Sequence, residues 1–189
     1  MQTSAPHIRN ATYLNVGCGK RAREGFVNLD YTWQPGVNLL WDLYWRLPFA
    51  DGTLRGIYTE HCLEHLPFTL VTGHILREFH RTLAPGGRLR LIVPDGGLYL
   101  NLYAQAQADP ATAFPYPNEE FVTPMMHVNR CFRDYDHLYA YDFATFRHFL
   151  LKAGFSEVVR QSFRQGGDAT LLLDAPERAP ESLYIEAVR

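Results

Sequence analysis

Cysteine is scarce in this chain of 189 residues: Cys18, Cys62 and Cys131 make an odd number without a C-x-x-C pair. That excludes a disulfide framework and favours a reducing compartment. No run of about 18 apolar residues occurs, as a membrane-spanning helix would need, and the opening MQTSAPHIRN has no apolar stretch of the secretory kind. The chain is therefore read as cytoplasmic, bacterial in style and without a membrane span. Basic charge is not in surplus either, with 18 Lys and Arg against 20 Asp and Glu. The densest basic cluster, Lys20, Arg21 and Arg23, is short, so no nucleic-acid partner is expected. Repeats, low-complexity tracts and linkers are missing as well. Residues 1–189 are expected to form one domain.

What is present alternates between two periods. Tyr13-Leu14-Asn15-Val16 and Phe26 to Asp30 read as short apolar strands, and further strands are expected at Val37 to Trp41 and Gly56 to Glu60. Only about ten residues join the first two, the minimum for a parallel crossover. Little more than one or two helical turns fit there, and Gly25 interrupts even those. After Pro67 the apolar residues Val71, Ile75, Leu76, Phe79 and Leu83 recur at helical spacing, with Gly86-Gly87 as the stop. A buried strand follows at Arg88 to Val93. Asp142 is a good N-cap for a helix whose apolar face is Phe143, Phe146, Phe149, Leu150 and Ala153, closed by Gly154. The last strands fall at Val158 to Phe163 and Leu183 to Val188. Between them and the earlier elements, residues 96–141 show no clear period and carry nine aromatics among prolines, as a functional insertion or substrate lid would. The whole pattern is α/β with a mostly parallel sheet.

Two stretches carry candidate chemistry. Gly17-Cys18-Gly19 follows a strand and, with Ala22, matches G-x-G-x-x-A. A dinucleotide site wants an acid about twenty residues after the first glycine, whereas Asp30 comes sooner and the helix between is too short to receive a pyrophosphate. A phosphate-free ligand with ribose hydroxyls fits better, and S-adenosylmethionine is such a ligand. The second stretch is TEHCLEHL, residues 59–66, in which His61, Glu64 and His65 spell H-x-x-E-H, an inverted zinc-peptidase pattern. Glu60 and His61 fall at a strand end and Pro67 follows closely, so the two imidazoles do not share one helix, and no spacing singles out a third ligand. No metal is expected. A cofactor-lining turn and structurally bonded histidines remain the two other readings of this stretch.

YLNVGCGKRAREGFVNLDY, WDLYWRLPFADGTLRGIYTEHCLEHLP and LREFHRTLAPGGRLRLIVPD together resemble class I S-adenosylmethionine-dependent methyltransferases. More narrowly they are similar to the short bacterial group associated with polysaccharide and lipopolysaccharide biosynthesis. The tail YDFATFRHFLLKAGFSEVVRQSF and the closing ESLYIEAVR extend the resemblance over nearly the whole chain. It implies a Rossmann-like, seven-stranded, mostly parallel sheet whose last strand is antiparallel, with helices on both faces and cofactor at the carboxyl ends of the strands. Carried over residue by residue, Gly17, Cys18 and Gly19 would face the methionine part of the cofactor and Asp30 the ribose. Asp42 and Leu43 would lie near the adenine, and Glu60 and His61 beside the methionine end. Asn15 departs from the pattern, standing where many members carry an acid.

The implied activity is methyl transfer from S-adenosylmethionine, leaving S-adenosylhomocysteine, to a small-molecule or saccharide acceptor. A hydroxyl acceptor needs a base. His137, His61 and His127 are the candidates, His137 first because HLYAYD abuts the helix expected beside the cofactor mouth. Two rival readings stay open: a catalytically silent partner protein with the same fold, and a zinc hydrolase using His61, Glu64 and His65.

Overall fold

The computed structural model describes residues 12–189. Seven strands, β1 (Tyr13–Val16), β2 (Val27–Asp30), β3 (Leu39–Leu40), β4 (Leu54–Glu60), β5 (Leu83–Pro94), β6 (Glu157–Gln161) and β7 (Ser182–Val188), form one sheet in the order β3-β2-β1-β4-β5-β7-β6. All neighbours from β3 to β5 are parallel, and β7 runs antiparallel to both β5 and β6. The order reverses at β1, which is flanked by β2 on one side and β4 on the other. In open parallel sheets such a reversal opens a crevice at the carboxyl ends of the strands.

The central strands are apolar because both faces are covered. On one face Leu14, Val16, Ile57, Leu89, Leu91, Val93 and Ile185 pack with Phe79, Phe146 and Leu150 of two helical runs. The first, α1, comprises Phe68–Leu70, a π-helical Val71–Ile75 and Leu76–Thr82. The fourth helix of the chain, α4 (Phe143–Ala153), begins as expected with the Asp142 carboxylate accepting from Thr145 N at 2.8 Å and ends at Gly154 with φ 111°. On the other face Phe26, Tyr58, Ile92, Leu171 and Tyr184 form a second layer, covered by short 3-10 turns at Ala169–Leu171 and Pro176–Arg178.

Three elements differ from the sequence expectation. The connection from β1 to β2 contains no helical turn. Its carbonyls are instead taken by two buried amides: Asn15 donates to Arg21 O at 3.0 Å and to Asn28 Oδ1 at 2.9 Å, and Asn28 donates to Arg23 O at 2.9 Å. Asn15 thus supplies the partners that a helix would otherwise have supplied for its own backbone. Second, α1 ends at Thr82 rather than at the glycine pair, which lies where the pairing of β5 with β4 shifts register, with Gly86 at φ 76°. Third, residues 96–141 contain α2 (Gly96–Ala106), N-capped by Asp95, and α3 (Pro124–Arg133). The helices pack on each other through Tyr99, Phe114 and Cys131, a small satellite core. Few of their residues are fully buried (Gly96 and Tyr99 in one, Val128 and Cys131 in the other), and α3 carries a one-sided apolar face of helical period that the sequence reading of this segment did not register.

Candidate functional site

The crevice at the reversal point is a cavity of about 440 Å³ lined by residues that leave four consecutive strands. β1 contributes Gly17, β2 contributes Leu29, Asp30 and Tyr31, β3 contributes Trp41 to Tyr44, and β4 contributes His61, Cys62, His65 and Leu66. Its size is that of a small-molecule site. Five of the eight residues assigned to the cofactor from sequence line it: Gly17, Asp30, Asp42, Leu43 and His61.

The glycine turn is shaped by two close approaches. Gly17 has φ 65°, and a Cβ there would stand 2.3 Å from Cys62 Sγ, so only glycine lets the β1 and β4 exits meet at the cavity floor. Gly19, at φ 49°, donates its N–H to Asp30 Oδ2 at 2.8 Å. Cys18 between them donates its N–H to Leu29 O at 3.1 Å and is buried. Burial first, and then the Asp30 carboxylate, push its thiol up to about 11, so it stays protonated at neutral pH and is no nucleophile. Cys18 and Gly19 shape the turn and hold Asp30 rather than line the cavity.

Asp30 is positioned from both sides, its Oδ1 accepting from Thr32 N at 2.8 Å. Asp42 accepts from Tyr44 N at 2.9 Å and so turns the chain after β3 across the cavity mouth. Tyr31 and Tyr44, both well exposed, and half-buried Trp41 flank these acids. Sequence reasoning passed over these aromatics although each stands within two residues of an assigned acid at a strand exit.

Glu60 lies elsewhere. Its Oε1 accepts from Ala175 N at 2.9 Å and its Oε2 stands 3.9 Å from Arg178, so the carboxylate holds the segment before β7 and does not line the cavity. The cause is strand parity. Tyr58 and Glu60 share one face of β4, and Thr59 and His61 take the other.

The H-x-x-E-H stretch is split between the end of β4 and a 3-10 turn at Leu63–His65. His61 sits at φ 49°, its ring bonded to Ser182 Oγ at 2.9 Å. Burial, with help from Arg178, pushes it down to about 2. Glu64 is buried, and burial pushes its carboxyl up to about 8. His137 reaches the same place from the segment after α3, its Nδ1 2.8 Å from Cys131 O, while the amides of Leu138 and Tyr139 donate to the Glu64 carbonyl at 2.8 and 3.2 Å. His61, His65 and His137 surround Glu64 at 3.7 to 4.0 Å, too long for hydrogen bonds, and a neutral His61 beside a protonated Glu64 would not be an ion pair. His127 is apart from this group, stacked on Phe114 at 4.4 Å in the satellite core. The structure therefore brings together His61 and His137 of the three expected bases, and adds Glu64 and His65.

No protein-family model matches the chain, and comparison with curated proteins finds no match. Solved structures do match. An S-adenosylmethionine-dependent methyltransferase from Archaeoglobus fulgidus is 15% identical with a TM-score of 0.59, over 97% of this chain and 90% of its own. One from Mesorhizobium loti is 18% identical with a TM-score of 0.57, over 98% and 94%. A third, from Methanosarcina mazei, is 14% identical with a TM-score of 0.52, over 97% and 95%. At such identities the likeness is one of fold. The chain has the Rossmann-like class I methyltransferase fold, with its seven-stranded sheet and antiparallel β7.

Proposed function

We propose that this protein binds S-adenosylmethionine in the crevice beside β1 and transfers its methyl group to a small-molecule or saccharide acceptor. The observation that carries the reading is the convergence on one cavity of the Gly17 turn, Asp30 and Asp42 from the exits of three successive strands. A glycine that lets the β1 and β4 exits meet shapes one wall, an acid at the end of β2 accepts from vicinal ribose hydroxyls, and aromatics frame a flat base. Among the described residues no cationic side chain lines the cavity and no helix starts at the glycine turn to receive a pyrophosphate. A sulfonium, itself positive, suits a wall with two carboxylates.

The chemistry asks little of an acid or base at the methyl carbon, because the sulfonium makes the methyl group a good electrophile. The protein's share is alignment of the acceptor and exclusion of water. His61 and His65 line the cavity at the end opposite Asp42. An imidazole held as low as His61 is a weak base. His61 therefore contributes contact and orientation more than proton removal, and His137, buried behind it, acts through the group it belongs to.

Residues 107–123, between α2 and α3, form an irregular and largely exposed stretch. We assign it to a lid over the acceptor side, because the chain after α3 packs against the turn that carries His65. Limited proteolysis of the free protein should cut first between Asp109 and Glu120, and cofactor with acceptor should protect those bonds. Resistance equal to that of the sheet would remove the lid. The cofactor assignment is tested by melting: excess S-adenosylmethionine or S-adenosylhomocysteine should raise the Tm in a concentration-dependent way, as any ligand of the native state does. A melt unmoved by both would reject the reading in favour of a silent protein with the same fold.

A further inference from the structure

Behind the cavity three ring nitrogens surround a buried carboxyl group. Glu64 is 2% exposed, and neither carboxylate oxygen has a hydrogen-bond partner among the described residues. Around its Oε1 stand His61 Nδ1 at 3.7 Å, His65 Nε2 at 3.9 Å and His137 Nε2 at 4.0 Å. The other ring nitrogen settles where the proton sits on two of them. The Cys131 carbonyl can only accept, so His137 Nδ1 carries the hydrogen at 2.8 Å and Nε2 is the nitrogen left to serve as a metal ligand. Ser182 Oγ donates to Arg178 O at 2.8 Å and hence accepts from His61 Nε2 at 2.9 Å, which turns the Nδ1 lone pair of a neutral His61 toward Glu64. Buried polar atoms that face one another at 3.7 to 4.0 Å without hydrogen bonds are unfavourable as they stand. A cation at the centre converts the same atoms into ligands, and the Cys131 carbonyl occupies the place of the outer partner that orients a metal-bound histidine.

We propose that Glu64, His65 and His137 bind one divalent transition-metal ion of the zinc type, with His61 resting against the same carboxylate oxygen. One ligand atom from each of the three lies within 4.8 Å of the other two, so a small inward movement of each side chain reaches coordination distance. Two imidazoles and a carboxylate are a donor set for zinc-like ions and a poor one for magnesium or calcium. The proposal departs from the metal-free expectation for a physical reason. The H-x-x-E-H spacing lacks a third ligand in sequence, and the fold supplies it as His137, delivered by the strap whose amides bond the Glu64 carbonyl. The ion would join this strap to the exit of β4. Since His65 also lines the cavity, an acceptor oxygen could approach a Lewis acid there if the methyl-transfer reading holds; the binding of the ion does not rest on that reading.

The test uses the untagged full-length chain, stripped with chelator and titrated with Co²⁺ and then Zn²⁺ in the absence of S-adenosylmethionine. One equivalent of Co²⁺ per chain should bind, with a visible absorption band that Zn²⁺ displaces. Glu64→Gln and His65→Asn should each weaken binding by more than about a hundredfold, beyond the range typical of outer-shell partners. Glu64→Gln keeps the shape of the buried side chain without its charge, so it should melt no lower than the stripped wild type. A wild-type chain that binds neither ion, or one whose affinity survives both substitutions, overturns the proposal. With no cofactor in the cell, the outcome is independent of any cofactor measurement.

Discussion

Replacing Asp174 by alanine should cost about 3–5 kcal/mol of folding stability, the usual range when one partner of a buried ion pair is removed. Arg90, in the middle of β5, and Asp174 are both fully buried. The guanidinium donates to both Asp174 oxygens, from Nε at 3.1 Å and from Nη2, and two further hydrogens go to Gln165 O at 2.7 Å and Ser162 O at 3.0 Å. Asp174 also accepts from Arg164 N at 2.7 Å. The pair therefore fastens residues 162–174 to the sheet face that carries Tyr58 and Tyr184, and Ala175 next to it donates to Glu60. Without the carboxylate a desolvated positive charge remains beneath the loop. For a protein whose total stability is of the order of 5–15 kcal/mol, urea unfolding should show a midpoint lowered by about a fifth or more. A loss below about 1 kcal/mol would mean that water or another acceptor reaches Arg90. The double change Arg90→Met with Asp174→Leu should cost less than the sum of the two single changes, because neither charge is then left alone.

The second large effect falls on binding. Asp30→Ala should weaken S-adenosylmethionine about ten- to a hundredfold, the loss of roughly 1.5–3 kcal/mol expected for charge-assisted hydrogen bonds to ribose. Two backbone amides, Gly19 N and Thr32 N, already bond this carboxylate, so it enters the cavity in a fixed orientation and its remaining lone pairs are available to hydroxyls. The substitution also frees the glycine turn, because Gly19 N loses its acceptor. The two contributions separate experimentally: Asp30→Asn keeps an acceptor oxygen for the turn and removes the charge. A folded Asp30→Ala protein with unchanged affinity would reduce Asp30 to a turn residue.

The parts of this site that were legible in the sequence are local. Gly17, Gly19 and Asp30 lie at strand ends, where a few neighbouring residues define both the conformation and the chemistry. Asp42 is readable for the same reason, as an acid leaving β3. Glu60 was misplaced because proximity to the strand end was weighed and the alternation of faces along β4 was not. Parity with Tyr58, an aromatic of the second layer, would have sent it to the far side of the sheet. Of the cluster of Glu64 with three histidines, the sequence showed His61, Glu64 and His65 as H-x-x-E-H but not the fourth member, His137. His137 joins it only through α2, α3 and the strap behind them, a segment that the sequence reading left as one irregular insertion. Asn15 shows the converse case. Set against the resemblance it is a departure in the cofactor turn, and in the fold it is a structural amide that replaces a missing helical turn.

Calorimetric titration of the wild-type protein with S-adenosylmethionine, repeated with S-adenosylhomocysteine, tests the central claim most directly. The account predicts saturable binding of each at one site per chain, with affinity for both lowered in Asp30→Ala. Absence of heat and of competition between the two in a cooperatively folded protein would contradict it.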